Sequence, residues 1–180
     1  MTTTTGTLSG TTRAPVVRLT RQLDAPVEDV WSAWTDPERA VRWLGRFESA
    51  PAAGRGVPVH MGTGGDDFPA TFSIRELEPP HRLQFSWDDT HDPGGVITVT
   101  LEPSGDGTRL TLVHELAGAD TALDVAVDFG RGWEGLLSAL AALLAGGDAA
   151  AVKAADTATW DSREPYWREQ AAALADGVSA

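Results

Sequence analysis

The sequence predicts an α+β fold in which a curved antiparallel sheet wraps one long C-terminal helix, with two short helices after the first strand. Three observations lead there. Between residues 56 and 116, apolar and polar residues alternate in runs separated by turn-forming clusters, the signature of strands with one buried face. Between residues 24 and 43, two Asp and Pro helix-start signals accompany Trp-bearing stretches. Finally, VDFGRGWEGLLSALAALLAGG carries one broad apolar stripe and ends on two glycines.

Taken in chain order, MTTTTGTLSGTTRAP lacks an apolar segment and reads as a disordered tail over 1–14 rather than a signal peptide. VVRLTRQL then alternates as a strand. Asp24 is a candidate cap, and Val27, Val30, Trp31 and Trp34 form one helical stripe. Asp36-Pro37 repeats the signal for a second short helix carrying Ala40 and Trp43. Strands are expected near 56–62, 68–77, 82–88, 95–103 and 107–116, divided by GTGGDD, EPPH, DDTHDPGG and PSGDG. Asp128 is the expected cap of the long helix, whose stripe runs through Phe129, Trp133, Leu137, Leu140 and Leu144. These elements place one domain over 15–147.

Residues 148–180 form an Ala-rich linker followed by a C-terminal helix. In TWDSREPYWREQAAALADG, Asp161 and Glu164 have capping-box spacing, and Tyr166, Gln170 and Leu174 share a face with Trp167 alongside. A lone helix of this length is marginal in water. It is therefore expected to dock on its own domain, over the long helix or the cavity rim, or else on the twin subunit of a homodimer.

Composition excludes several functions. The chain has 180 residues, no cysteine and a net charge of −12. Thiolate chemistry is impossible, and such a charge opposes nucleic acid and anionic membrane surfaces. With no spanning apolar run, a cytoplasmic location is the expectation. No phosphate loop, zinc spacing or Ser-His-Asp order is legible, so neither cofactor nor metal is expected.

The order of elements resembles the helix-grip fold of the START-like, SRPBCC superfamily. DAPVEDVWSAWTDPE, EPPHRLQFSW, GTRLTLVHE and GWEGLLSALAALL are similar to its branch named after the activator of the heat-shock ATPase. The resemblance spans roughly residues 16–146 and stops before the C-terminal extension. It implies a ligand cavity between sheet and long helix, entered among the hairpins at 62–67 and 88–95 and the start of that helix. It also assigns Trp31 and Trp34 to core packing beneath the C-terminal half of the helix.

The inward positions Phe72, Phe85, Trp87, Val99, Leu112, His114, Phe129 and Trp133 are the expected ligand-binding residues. His114 shares the parity of Leu110 and Leu112, and is the catalytic candidate. A neutral imidazole there would serve as a general base or orient a carbonyl. The mouth gathers Asp66, Asp67, Asp88, Asp89, His91, Asp92, Asp120, Asp124 and Asp128, which favours neutral or cationic ligands over anionic ones. The leading expectation is a binding protein for a hydrophobic small molecule. The alternatives are a polyketide cyclase or dehydratase-like enzyme using His114, and a chaperone-interacting module.

Overall fold

The computed structural model describes residues 6–61, 68–88, 95–116 and 120–177. The strands are β1 (Thr7–Thr11), β2 (Ala14–Leu23), β3 (Gly45–Phe47), β4 (Gly56–Met61), β5 (Phe68–Glu78), β6 (Arg82–Asp88), β7 (Val96–Ser104) and β8 (Gly107–Glu115). The helices are α1 (Val27–Thr35), α2 (Pro37–Ala40), α3 (Ala122–Leu144), α4 (Ala149–Thr159) and α5 (Glu164–Ala175), with a 3-10 turn over Trp160–Arg163. The strands form one open, curved antiparallel sheet in the order β1-β2-β8-β7-β6-β5-β4-β3.

Alternation located the five central strands to within one residue at each end. In β8 the buried set is Thr108, Leu110, Leu112 and His114, while Arg109 and Glu115 are exposed. A one-residue slip would turn His114 outward, so burial of this face fixes the register. Trp34 and Trp43 are core residues, edge to face with ring centroids 4.7 Å apart. Trp34 also lies 6.3 Å from Trp133, near the middle of α3 rather than its C-terminal half. Trp31 is only partly buried at the core margin.

Four local expectations are corrected. The second short helix ends at Ala40, so Trp43 sits in the turn beyond it, where its indole donates to the Ala33 carbonyl at 2.9 Å. Asp36 does cap that helix, accepting from the Glu38 amide, but α1 begins after Pro26 with no side-chain cap. The long helix starts at Ala122, so Asp128 lies inside it, and its carboxylate accepts from Arg131 at 3.2 Å. Residues 7–11, assigned to a disordered tail, form a strand paired with β2 from Thr7↔Arg18 to Thr11↔Ala14.

Partners distant in sequence hold that strand. The Leu8 amide donates to Gln170 Oε1 at 2.8 Å, the Gly6 amide donates to Glu134 Oε1 at 3.2 Å, and the Tyr166 hydroxyl donates to the Gly6 carbonyl at 2.6 Å. Local composition carries no trace of such bonds.

The C-terminal helices dock on their own domain, against α3 and β1. Trp167 is fully buried where two glycines leave room for its ring. A Cβ on Gly130 would stand 2.6 Å from the indole, and one on Gly6 would stand 2.4 Å from it. Asp161 and Glu164 do not form a capping box. They converge with Asp128 on buried Arg131, at 3.1, 3.4 and 3.2 Å, while its guanidinium lies 4.5 Å from the centre of the Trp160 ring. A buried arginine needs such partners, because an unpaired charge there would be strongly destabilising.

Replacing a mid-helix glycine by alanine ordinarily stabilises by roughly 0.5–1 kcal/mol. Gly130→Ala is expected to reverse that sign and cost about 1–3 kcal/mol, because the new methyl group overpacks the Trp167 notch. Urea denaturation checks this; a stabilised variant would show that α5 is not seated on α3.

Candidate functional site

The sheet and α3 enclose an aromatic cluster, and strand parity explains its composition. Phe72 on β5 and Trp87 on β6 are cross-strand partners, as are Val99 on β7 and Leu112 on β8. All four side chains are buried, as are Phe85, His114 and Trp133. Phe72 lies 4.5 Å from Phe85 and 5.2 Å from Trp87 between ring centroids. From the helix, Phe129 approaches Trp87 at 5.4 Å and His114 at 4.3 Å, and Trp133 approaches Trp87 at 6.3 Å. Seven of the eight expected residues thus belong to one hydrophobic cluster, an aromatic wall in which the eighth, His114, packs against Phe129.

Sequence reasoning missed Phe68. Its ring is exposed at 46% and stacks on Trp87 at 6.3 Å with 22° between planes. The signal was its parity with Ala70 and Phe72. From Phe68 an aromatic path leads through Trp87 and Phe129 to His114.

His114 is the polar exception in this wall. Burial pushes its pKa down to about 3, so the ring is neutral at physiological pH. Trp133 Nε1 donates to His114 Nδ1 at 3.2 Å. An indole N–H can only donate, so Nδ1 is an acceptor and the proton sits on Nε2. That Nε2–H is buried without a partner among the described residues. Beside it lies Gly95, where a Cβ would fall 2.6 Å from Nε2. Residue 95, as a glycine, therefore sets no side chain of its own against that side of the imidazole.

This geometry bears differently on the two roles expected of a neutral imidazole. Proton abstraction needs a free lone pair and a pKa near the working pH. Here Nδ1 is engaged and Nε2 already carries a proton. The arrangement favours a hydrogen-bond donor over a general base.

The acidic mouth is only partly described. Asp66, Asp67, Asp89, His91 and Asp92 lie outside the described residues, as does the side chain of Asp88. The three carboxylates from the helix entry are each engaged by an arginine: Asp120 by Arg13, Asp124 by Arg168 and Asp128 by Arg131. Each is thus held in an ion pair, although Arg131 is shared with Asp161 and Glu164, and none of the three has a contact with His114. Elsewhere, His60 lies 3.4 Å from Glu48, and His81 Nδ1 lies 3.1 Å from the Leu101 carbonyl oxygen. Among the described residues no group of His, Asp or Glu could hold a metal ion, and no helix is long and apolar enough to cross a membrane.

Solved structures share this architecture. The crystal structure of CalU16 from Micromonospora echinospora is 28% identical, with a TM-score of 0.69 over 88% of this chain and 89% of that one. Its solution structure aligns with 99% of this chain and 98% of its own, at 26% identity and a TM-score of 0.70, and so takes in the C-terminal helices. Protein MLL2253 from Mesorhizobium loti is 27% identical, with a TM-score of 0.65 over 74% of this chain and 98% of that one. DynU16, a protein of the dynemicin biosynthetic locus, is also 27% identical, with a TM-score of 0.63 over 74% of this chain. The alignment spans about half of DynU16, 49% of its length. A search of curated proteins returns no match. The family model described as activator of Hsp90 ATPase homolog 1-like protein matches residues 24–145, from the first short helix to the end of α3. By that match and its helix-grip architecture, the chain belongs to the activator of Hsp90 ATPase homolog 1-like family.

Proposed function

We propose that this protein binds a hydrophobic small molecule, neutral or cationic rather than anionic, between the sheet and α3. The carrying observation is the aromatic wall itself, in which the buried, unpartnered Nε2 of His114 stands among apolar side chains. Sites for small molecules have this character, with few convergent polar groups in an apolar lining. Aromatic faces tolerate cations, whereas an anion among them would lose hydration without gaining a counter-charge. The similarity to DynU16 supports a role in small-molecule metabolism, by analogy with that protein's locus. It also keeps a cyclase-like reaction in view, one in which His114 would orient a carbonyl rather than take a proton.

A matched pair of probes tests the reading. N-phenyl-1-naphthylamine is expected to bind at least about tenfold more tightly than its 8-sulfonate, a difference of about 1.4 kcal/mol. Fluorescence titration at low and high salt measures both. Tighter binding of the sulfonate at low salt, or no binding of either, would overturn the proposal.

A further inference from the structure

The orphaned proton on His114 carries a more specific inference, which rests on the binding site proposed above. We propose that this site selects ligands bearing a neutral hydrogen-bond acceptor, a carbonyl or ether oxygen, where they meet His114. Trp133 is the positioning residue that makes it so.

A neutral imidazole can carry its proton on either nitrogen. In this protein the choice is made by the Trp133 indole, whose N–H occupies the Nδ1 lone pair at 3.2 Å. The proton is thereby directed to Nε2. No acceptor meets it there among the described residues. The rings beside it are Phe129 at 4.3 Å and Trp133 at 6.4 Å, both edge to face, and its cross-strand neighbours are Val17 and Ile97. Neither the flanking rings nor the cross-strand pair brings a titratable or accepting side chain. Burial of an unpaired donor is costly, and native structures rarely retain one without a reason. An incoming oxygen would restore the missing bond, whereas a purely apolar ligand of the same shape would leave it unmade. Selectivity of this kind discriminates well, because the penalty lies in the site's own buried polar group.

The test uses fluorenone and fluorene, rigid tricyclic probes that differ by one carbonyl. Fluorenone is expected to bind the wild-type protein at least about tenfold more tightly, by calorimetry or tryptophan quenching. Its carbonyl stretch should move to lower wavenumber in the complex. His114→Phe keeps an aromatic ring but removes the donor, and is expected to bring the affinity ratio to about one and abolish the infrared shift. Trp133→Phe keeps a ring while releasing Nδ1. It should convert the His114 ¹⁵N signature from a single Nε2–H tautomer to a mixture and reduce the ratio severalfold. Equal affinity of the two probes for the wild type would overturn acceptor selectivity while leaving apolar binding intact. Failure of both to bind would remove the site itself. A Trp133→Phe protein that keeps the pure Nε2–H tautomer and the full ratio would remove Trp133 from its role. Should His114→Phe fail to fold, the wild-type ratio and carbonyl shift still decide the matter.

Discussion

Trp133→Ala is expected to lower the free energy of unfolding by about 3–5 kcal/mol, the range for truncating a large buried side chain. Trp133 joins three parts of the molecule. Its ring meets Trp34 from α1 and Trp87 from β6, each at 6.3 Å, and it donates to His114 on β8. Removing it opens a cavity between helix and sheet and leaves the buried Nδ1 without its donor. Denaturation in urea, followed by circular dichroism, measures the loss. A loss below about 1 kcal/mol would mean that neighbouring side chains collapse into the space, and that the helix does not depend on this contact.

Acid should destabilise the fold through His114. In the folded protein burial holds this ring neutral down to about pH 3, against an ordinary value of 6.5. Below pH 6.5 the unfolded chain takes up a proton that the folded chain refuses, so stability falls as the pH drops between those two values. At about 1.4 kcal/mol per pH unit, the contribution is about 2 kcal/mol by pH 5 and more below it. Other groups titrate in the same interval, and comparison with His114→Phe isolates this one. The variant is expected to show a flatter loss between pH 7 and pH 5, by about 2 kcal/mol. Parallel pH profiles for the two proteins would show that His114 is protonated while folded, and hence that it is not buried as described.

Much of the fold was legible because its signals are local. Period-two alternation in RLQFSW and RLTLVHEL places Phe85, Trp87, Leu112 and His114 on one face wherever those strands lie. The inward stripe of α3 likewise nominates Phe129 and Trp133, so the wall could be assembled from parity alone. What parity could not supply was pairing between polar atoms. The indole of Trp133 reaching Nδ1 of His114 depends on the height of the helix above the sheet, which no spacing records. The strand at Thr7–Thr11 was hidden for a related reason. Leu8 is its single large apolar residue, and its backbone is held by a bond from Leu8 to Gln170 and by bonds of the adjoining Gly6 to Glu134 and Tyr166. Asp128 and Asp161 misled because an acidic residue before an apolar stripe usually caps a helix. Both instead serve Arg131, a buried cation that composition would have placed on the surface.

A small molecule bound as proposed lodges between the sheet and α3. Intermolecular nuclear Overhauser effects from bound N-phenyl-1-naphthylamine test it most directly, because they report which side chains the probe touches. Contacts are expected from the probe to Phe72, Trp87, Phe129 and Trp133, with a shifted His114 Nε2 resonance. Contacts confined to the surface, at exposed Val41 or in the shallow groove formed by His81, Glu102 and Arg109, would contradict it.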